Sequence, residues 1–169
     1  MKSLPCIENT VSAALEELGI AHERIKISPE FADTAVFCEK YGYPTDHCGN
    51  AIVVASKKEP KQFCTCIVKG SNRLDVNKTV RRLMEVRKAS FATAKETITL
   101  TGMMIGGVTP FALPPEIPIF ADHTILELQY IILGSGSRES KLKIHPEELK
   151  KIPNLVFIEN LAITPQTQK

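Results

Sequence analysis

The 169-residue sequence has no tryptophan, and its aromatic residues amount to only 6% of the chain. A core with so few large rings must be assembled mostly from aliphatic side chains, and a hydrophobic share of 43% is ample for that. Charge of one sign is scarce too. The formal net charge is only +2, which argues against a tight, sequence-blind nucleic-acid binder and leaves RNA contact to local patches. No apolar run is long enough to span a bilayer. The first stretch, MKSLPCIENTVSAALEELG, carries Glu8, Glu16 and Glu17 within a helical pattern and does not read as a secretory signal. The expectation is a cytoplasmic protein with no membrane partner. Cysteines are few and odd in number: Cys6, Cys38, Cys48, Cys64 and Cys66. That suits free thiols in a reducing compartment better than a disulfide framework.

Repeats, low-complexity tracts and linkers are missing as well, so residues 1–169 are expected to form one domain. Ile7, Val11, Ala14, Leu15 and Leu18 recur at helical spacing, and Gly19 supplies a stop. AHERIKI alternates like a strand. Asp33 is placed to cap a short helix through Tyr41, closed by Gly42 and Pro44. AIVVAS and QFCTCIVK read as strands joined into a hairpin by SKKEP. DVNKTVRRLMEV predicts an amphipathic helix with Val76, Val80 and Leu83 inward and Lys78, Arg81 and Arg82 outward. KASFA predicts a strand, and AKETITLTG a short helix ending at Gly102. IPIFAD, QYIILGS and KLKI are strand candidates. HPEELKKI reads as a helix with Pro146 in its first turn, and LVFIE as a last strand. Helices and strands mix without a regular βαβ rhythm, so the fold class expected is α+β.

Reactive side chains are hard to find. Cys64 and Cys66 share one face of a strand, and His47 and Cys48 are near them in sequence, which raises a zinc site. The spacing is not that of a zinc finger, and buried apolar thiols account for the pattern better. There is no Gly-x-Ser-x-Gly elbow. LGSGSR is glycine-rich but lacks the Gly-Lys-Ser/Thr ending of a phosphate-binding loop. The densest basic region holds Lys78, Arg81, Arg82, Arg87 and Lys88, either a solvated helix face or a contact for phosphates.

One stretch does stand out. TGMMIGGVTPFALPPE places Gly106 and Gly107 together, with Pro110, Pro114 and Pro115 after them. Glycines let a backbone come close to a ligand, and N–H groups held in such a loop can stabilise a developing oxyanion. A tight turn between packed elements would show the same pattern.

CGNAIVVAS, CIVKGSNRLDVNKTVRRL, LTGMMIGGVTPFALP and LGSGSRESKLKIHPEEL, in that order, resemble the YbaK/EbsC family. These are free-standing relatives of the editing domain inserted in bacterial prolyl-tRNA synthetases, and the similarity covers nearly the whole chain. Its most specific element is the Gly-x-x-x-Pro loop, here Gly106, Gly107, Val108, Thr109 and Pro110. The resemblance implies a mixed, strongly curved sheet flanked by helices and enclosing a small pocket. It also implies hydrolysis of the ester in a tRNA mischarged with a small amino acid, with no metal or other cofactor and no DNA partner. In that reading the Gly106–Pro110 loop faces the ester carbonyl. Gly134, Ser135, Gly136 and Arg138 form a second substrate-binding loop, and Arg81 and Arg82 contact tRNA. Where family members commonly carry a lysine at the start of a strand, this sequence has Asn50, and Lys69 at the end of the next strand is a candidate to replace the lost charge. The alternative implied by Asn50 is a non-catalytic module that binds aminoacyl-tRNA or docks on a synthetase.

Overall fold

The computed structural model describes residues 6–164. The apolar stripe predicted at the start forms helix α1 (Ile7–Leu18), with Val11 and Leu15 fully buried. Gly19 ends it in the left-handed region at φ 67°, its N–H bonded to the Glu16 carbonyl. β1 (Glu23–Lys26) and α2 (Thr34–Tyr41) follow, the latter closed by Gly42 at φ 77°. Next come β2 (Gly49–Ser56) and β3 (Phe63–Lys69), paired as the expected antiparallel hairpin. Both are buried on two faces, which is why they read as continuous apolar runs. Val53 and Ile67 enter one core cluster with α1, while Val54, Cys64, Cys66 and Val68 enter a second.

β4 (Arg73–Leu74) leads into α3 (Arg81–Met84) through a π-type turn at Val76–Val80. Val76 and Val80 are buried, and Arg81 and Arg82 are exposed, as the amphipathic pattern requires. The helix is shorter than expected, because Glu85 takes a left-handed φ of 57° and stops it. β5 (Ala89–Phe91) pairs with the far end of β2. α4 (Ala94–Thr101) starts with a reciprocal cap between Thr93 and Glu96, which offsets its β-branched residues, and ends at Gly102. β6 (Ile119–Asp122), β7 (Ile131–Gly134), β8 (Ser140–Ile144), β9 (Leu155–Ile158) and β10 (Ala162–Ile163) complete the chain. HPEELKKI forms a 3₁₀ rather than an α helix, Pro146–Lys151.

The strands make a five-stranded sheet in the order β5-β2-β3-β6-β9, a three-stranded sheet β1-β8-β7 and a short pair β10-β4. β3, β6 and β9 run parallel while the other neighbours are antiparallel, so the main sheet is mixed and the fold is α+β as expected. A parallel bridge between Cys48 and Ile132 joins the three-stranded sheet to the start of β2. No helix among the described residues is long and apolar enough to cross a membrane.

One polar knot ties α1 to the three-stranded sheet. Glu8 Oε1 accepts from Ser137 Oγ at 2.9 Å and from Ser140 Oγ, with Ser135 Oγ 3.2 Å away and Arg24 Nη1 at 3.6 Å. Burial pulls the Glu8 carboxyl upward, but the three serine hydroxyls and Arg24 outweigh it and hold the group below its ordinary value. A depressed carboxylate stabilises the fold above its unfolded pKa and loses that contribution as pH falls through the folded one. Glu8→Gln is therefore expected to destabilise the protein by about 1.5–3 kcal/mol at neutral pH, the usual range for hydrogen bonds to a charged group. The gap between variant and wild type should close below pH 4.5, the ordinary value for this carboxyl. Urea denaturation at both pH values checks this.

Candidate functional site

After α4 the chain turns at Gly102 and runs through Met103–Pro110 against the segment Gly134–Lys141. The approach is backbone to backbone. A Cβ on Gly134 would lie 2.6 Å from the carbonyl oxygens of both Gly107 and Val108, and one on Gly107 would lie 2.3 Å from the Ser137 carbonyl oxygen. Only glycine fits at either position.

Three consecutive carbonyls of the loop are each held by a donor from the facing segment. Arg138 Nη1 donates to Ile105 O at 2.8 Å, Lys141 Nζ to Gly106 O at 2.8 Å, and the Gly136 N–H to Gly107 O at 2.6 Å. In a trans peptide the N–H points opposite to the carbonyl of the preceding residue. Fixing these carbonyls therefore fixes the N–H groups of Gly106, Gly107 and Val108. The Gly107 N–H is spent on Met104 O at 2.8 Å. The N–H groups of Gly106 and Val108 make no backbone hydrogen bond among the described residues. Both residues line a cavity of about 320 Å³ bounded by the loop, the Gly49–Ile52 edge of β2, Gly134 and Lys141.

The expected site residues separate on this geometry. Gly106, Val108, Gly134 and Asn50 line the cavity. Thr109 is fully buried beneath it, its hydroxyl without a partner among the described residues, and Pro110 is buried on the side that faces α1. They shape the loop and do not border the cavity. Ser135 is committed to the Glu8 knot, and Gly136, at φ 98°, packs on Ile7 and Val11. Arg138 brackets the cavity mouth through Ile105 O and an ion pair with Asp33 Oδ1 at 3.0 Å. Asp33 is thus an ion-pair partner rather than the side-chain cap anticipated for α2.

Asn50 Oδ1 accepts from Thr34 Oγ1. The side chain stands between the cavity and a second groove of about 560 Å³ that runs past Arg73, Asn77 and the exposed ring of Phe91. Lys69, expected as the candidate to replace a lysine at position 50, lies outside the cavity lining. The hairpin brings it next to Asn50, but the register pairs Asn50 with Val68 and Lys69 with Gly49. Gly49 itself borders the cavity, but Lys69 is not among the residues lining it. Arg81 and Arg82 lie outside the cavity, on the helix that continues from the groove wall at Val76 and Asn77.

The sequence reading missed Lys141. Its side chain is only 6% exposed, and its Nζ lies 5.7 Å from the centroid of the Phe37 ring. Burial pulls the ammonium down to about 8; Cys48 pulls the other way, Arg138 adds to the fall, and Asp33 and Cys38 oppose it. The sequence offers only two lysines in one short strand, KLKI, of which Lys141 is buried and Lys143 half-buried. The thiols are also arranged otherwise than sequence proximity suggests. Cys48 Sγ is 3.3 Å from Cys38 Sγ, and burial pushes the Cys48 thiol up. Cys64 and Cys66 sit in the core on the other side of the hairpin. Among the described residues no group of three His, Cys, Asp or Glu could hold a metal.

Comparison with known proteins agrees with this geometry. Residues 28–152 match the model of the aminoacyl-tRNA editing domain family. An uncharacterised Bacillus subtilis (strain 168) protein, YwhH, is 30% identical over 142 residues, which cover 84% of this chain and 73% of the relative. A hypothetical protein of known crystal structure superposes with a TM-score of 0.80 at 23% identity, over 91% of this chain and 99% of the other. A second crystal structure, assigned provisionally as a trans-editing enzyme for prolyl tRNA synthetase, gives 0.78 at 23% identity over 93% and 98%. The glycine loop, the cavity behind it and the match across residues 28–152 lead to one conclusion: the chain belongs to the aminoacyl-tRNA editing domain family.

Proposed function

We propose that the protein is a trans-acting aminoacyl-tRNA deacylase that hydrolyses the ester of a tRNA mischarged with a small amino acid. The observation that carries this reading is the set of three held carbonyls, which leaves the Gly106 and Val108 N–H groups fixed at the cavity wall. An aminoacyl ester is already activated, so a water can add to its carbonyl carbon without a protein nucleophile. As the C–O bond to the ribose then breaks, the amino acid leaves and the tRNA regains its terminal hydroxyl. The fold has to supply position and a home for the negative charge on the carbonyl oxygen, which preorganised N–H groups provide. A cavity of about 320 Å³ limits the aminoacyl group by size, the logic of an editing sieve. RNA would leave the cavity past Asn50 along the groove beside Phe91, toward the helix bearing Arg81 and Arg82.

Asn50 supports a second reading, an aminoacyl-tRNA-binding module without turnover. The residue is neutral, and its carbonyl oxygen is already engaged by Thr34. Hydrolysis assays across tRNAs mischarged with small amino acids decide between the two. Release of the amino acid at catalytic rates supports the deacylase, and saturable binding without release supports the module.

The loop and the helix make separate demands. Gly106 sits at φ 88°, and a Cβ there would lie 2.3 Å from Arg138 Nη1 and 2.9 Å from Asp33 Oδ1. Gly106→Ala keeps the N–H but must shift the peptide that carries it, so kcat should fall by up to about 10²–10³-fold, the cost of one misplaced oxyanion donor, with a loss of about 1 kcal/mol or somewhat more in stability. Thermal melts run beside the deacylation assay separate the two effects, and a folded variant with full activity would make the loop purely structural.

Charge reversal at Arg81 and Arg82 should weaken tRNA binding. The slope of log K against log salt should become shallower by about 1 for each phosphate that the helix no longer neutralises. Hydrolysis of a short aminoacyl-adenosine substrate should be unaffected. An unchanged salt slope would assign that helix face to solvent.

A further inference from the structure

Lys141 lies on the middle strand of the three-stranded sheet, in register with Gly134 on one side and Ile25 on the other. Gly134 has no side chain, so the lysine faces an opening in the sheet surface where the cavity begins. Its ammonium has three N–H donors. One is fixed on Gly106 O. Among the described residues no carboxylate is within ion-pair distance of Nζ, since Asp33, the nearby acid, is engaged by Arg138. The groups around the ammonium are the Phe37 ring and Cys38 on α2, Cys48 ahead of β2, Arg138 on its own segment and Asp33 at the mouth. A buried cation with no counter-ion is expensive to maintain.

Holding the loop does not require that expense. The neighbouring carbonyl of Gly107 is held as closely by the neutral Gly136 N–H. A charge at this position is useful for an oxygen that becomes negative. Lys141 lines the same cavity as Gly106 and Val108, so an oxygen bound there lies within the field of the ammonium.

We propose that Lys141 is a catalytic residue of this cavity: its ammonium donates to the carbonyl oxygen of the bound aminoacyl ester and stabilises the negative charge that gathers there. The assignment rests on the deacylase reading, but binding tests it separately. The step balances without another reactant. Water supplies the nucleophile, electron density moves onto the carbonyl oxygen beside the ammonium, and it returns as the ribose oxygen departs with a proton. Lys141 keeps its own proton throughout.

The group titrates at about 8, so its charged form prevails at neutral pH and is lost above. Turnover should fall as pH rises through that value, whereas unassisted ester hydrolysis rises with hydroxide. The experiment compares wild type, Lys141→Met and Lys141→Arg in single-turnover deacylation of a mischarged tRNA between neutral and alkaline pH. It also measures affinity for 3′-aminoacylamino-3′-deoxyadenosine, whose amide resists cleavage. Lys141→Met should lose about 10²-fold in rate, as for one oxyanion donor, and lose the alkaline limb. Lys141→Arg should recover part of the rate and move the limb beyond about pH 10, because guanidinium does not titrate there. Analogue affinity should be lower in Lys141→Met and depend less steeply on alkaline pH than in wild type, the remaining dependence being that of the analogue's own α-amino group. A Lys141→Met protein with wild-type rate and limb would overturn the assignment. If Lys141→Met does not fold, an identical limb in wild type and Lys141→Arg would overturn it just as well. If wild type releases no amino acid from any tRNA tried, the deacylase reading falls. The analogue titration then decides for Lys141, and equal affinity with the same pH dependence in wild type and variant would refute it.

Discussion

The close approach of the loop at Ile105–Gly107 to the segment Gly136–Lys141 is the constraint on which the rest of the site depends. Three donors of different kinds, a guanidinium, an ammonium and a backbone N–H, each hold one of three successive carbonyls. That spacing demands glycine on both sides, because a Cβ on Gly107 or Gly134 would collide with backbone and not with a yielding side chain. The segment is itself held from behind. Ser135, Ser137 and Ser140 converge on Glu8 of α1, so the first helix of the chain supports a loop about a hundred residues away through one carboxylate. Packing contributes the remainder. Met103 and Phe111, just before and after the Gly106–Pro110 loop, are fully buried in the same cluster as Val11 and Leu15. The loop is therefore anchored at both ends and clamped in the middle, the condition under which backbone N–H groups can be preorganised without reorganising during a reaction.

Electrostatics follow from the same approach. Asp33 and Arg138 neutralise each other at the mouth, where solvent screens what is left. Inside, the ammonium of Lys141 meets a carbonyl oxygen, an aromatic face and two thiols, with Asp33 acting on it from the mouth. The thiols suit that place because burial keeps Cys48 protonated and so uncharged. A carboxylate there would have paired with the lysine and removed both its charge and its free donors from use.

Much of the fold is legible in the sequence because local chemistry and tertiary demand coincide. The stripe of α1, the left-handed glycine stops at Gly19, Gly42 and Gly102, and the hairpin of β2 with β3 all stand where the sequence pattern places them. The disagreements arise where a distant partner decides. Asp33 is a cap by its place in sequence and an ion-pair partner in the fold, because Arg138 reaches it from 105 residues away. The helix after Asp75 is cut short by a left-handed Glu85 that no propensity marks. β4 and β10 have two residues each, too short for any period to show, and they exist because each finds the other. In the site, the Gly-x-x-x-Pro loop is visible since its glycines are required by close approach. Lys141 is not, because Lys141 and Lys143, two residues apart, leave the strand on the same face, and only their pairing with the neighbouring strands decides which is buried.

The scarcity of reactive side chains that makes this chain hard to read is itself consistent with ester hydrolysis. Where the substrate carries its own activation, a nucleophile adds little, and catalysis depends on where N–H groups and a charge are held. Backbone geometry records itself in a sequence as glycine and proline spacing, not as His, Ser or Cys motifs. It also tolerates exchange of charged positions, because a positive charge acts through space and its strand of origin matters little. Asn50 and Lys141 both line the cavity, one on β2 and one on β8. A neutral residue at position 50 is compatible with an ammonium at Lys141, since two ammonium groups sharing a cavity of about 320 Å³ would each make the other costlier to keep charged.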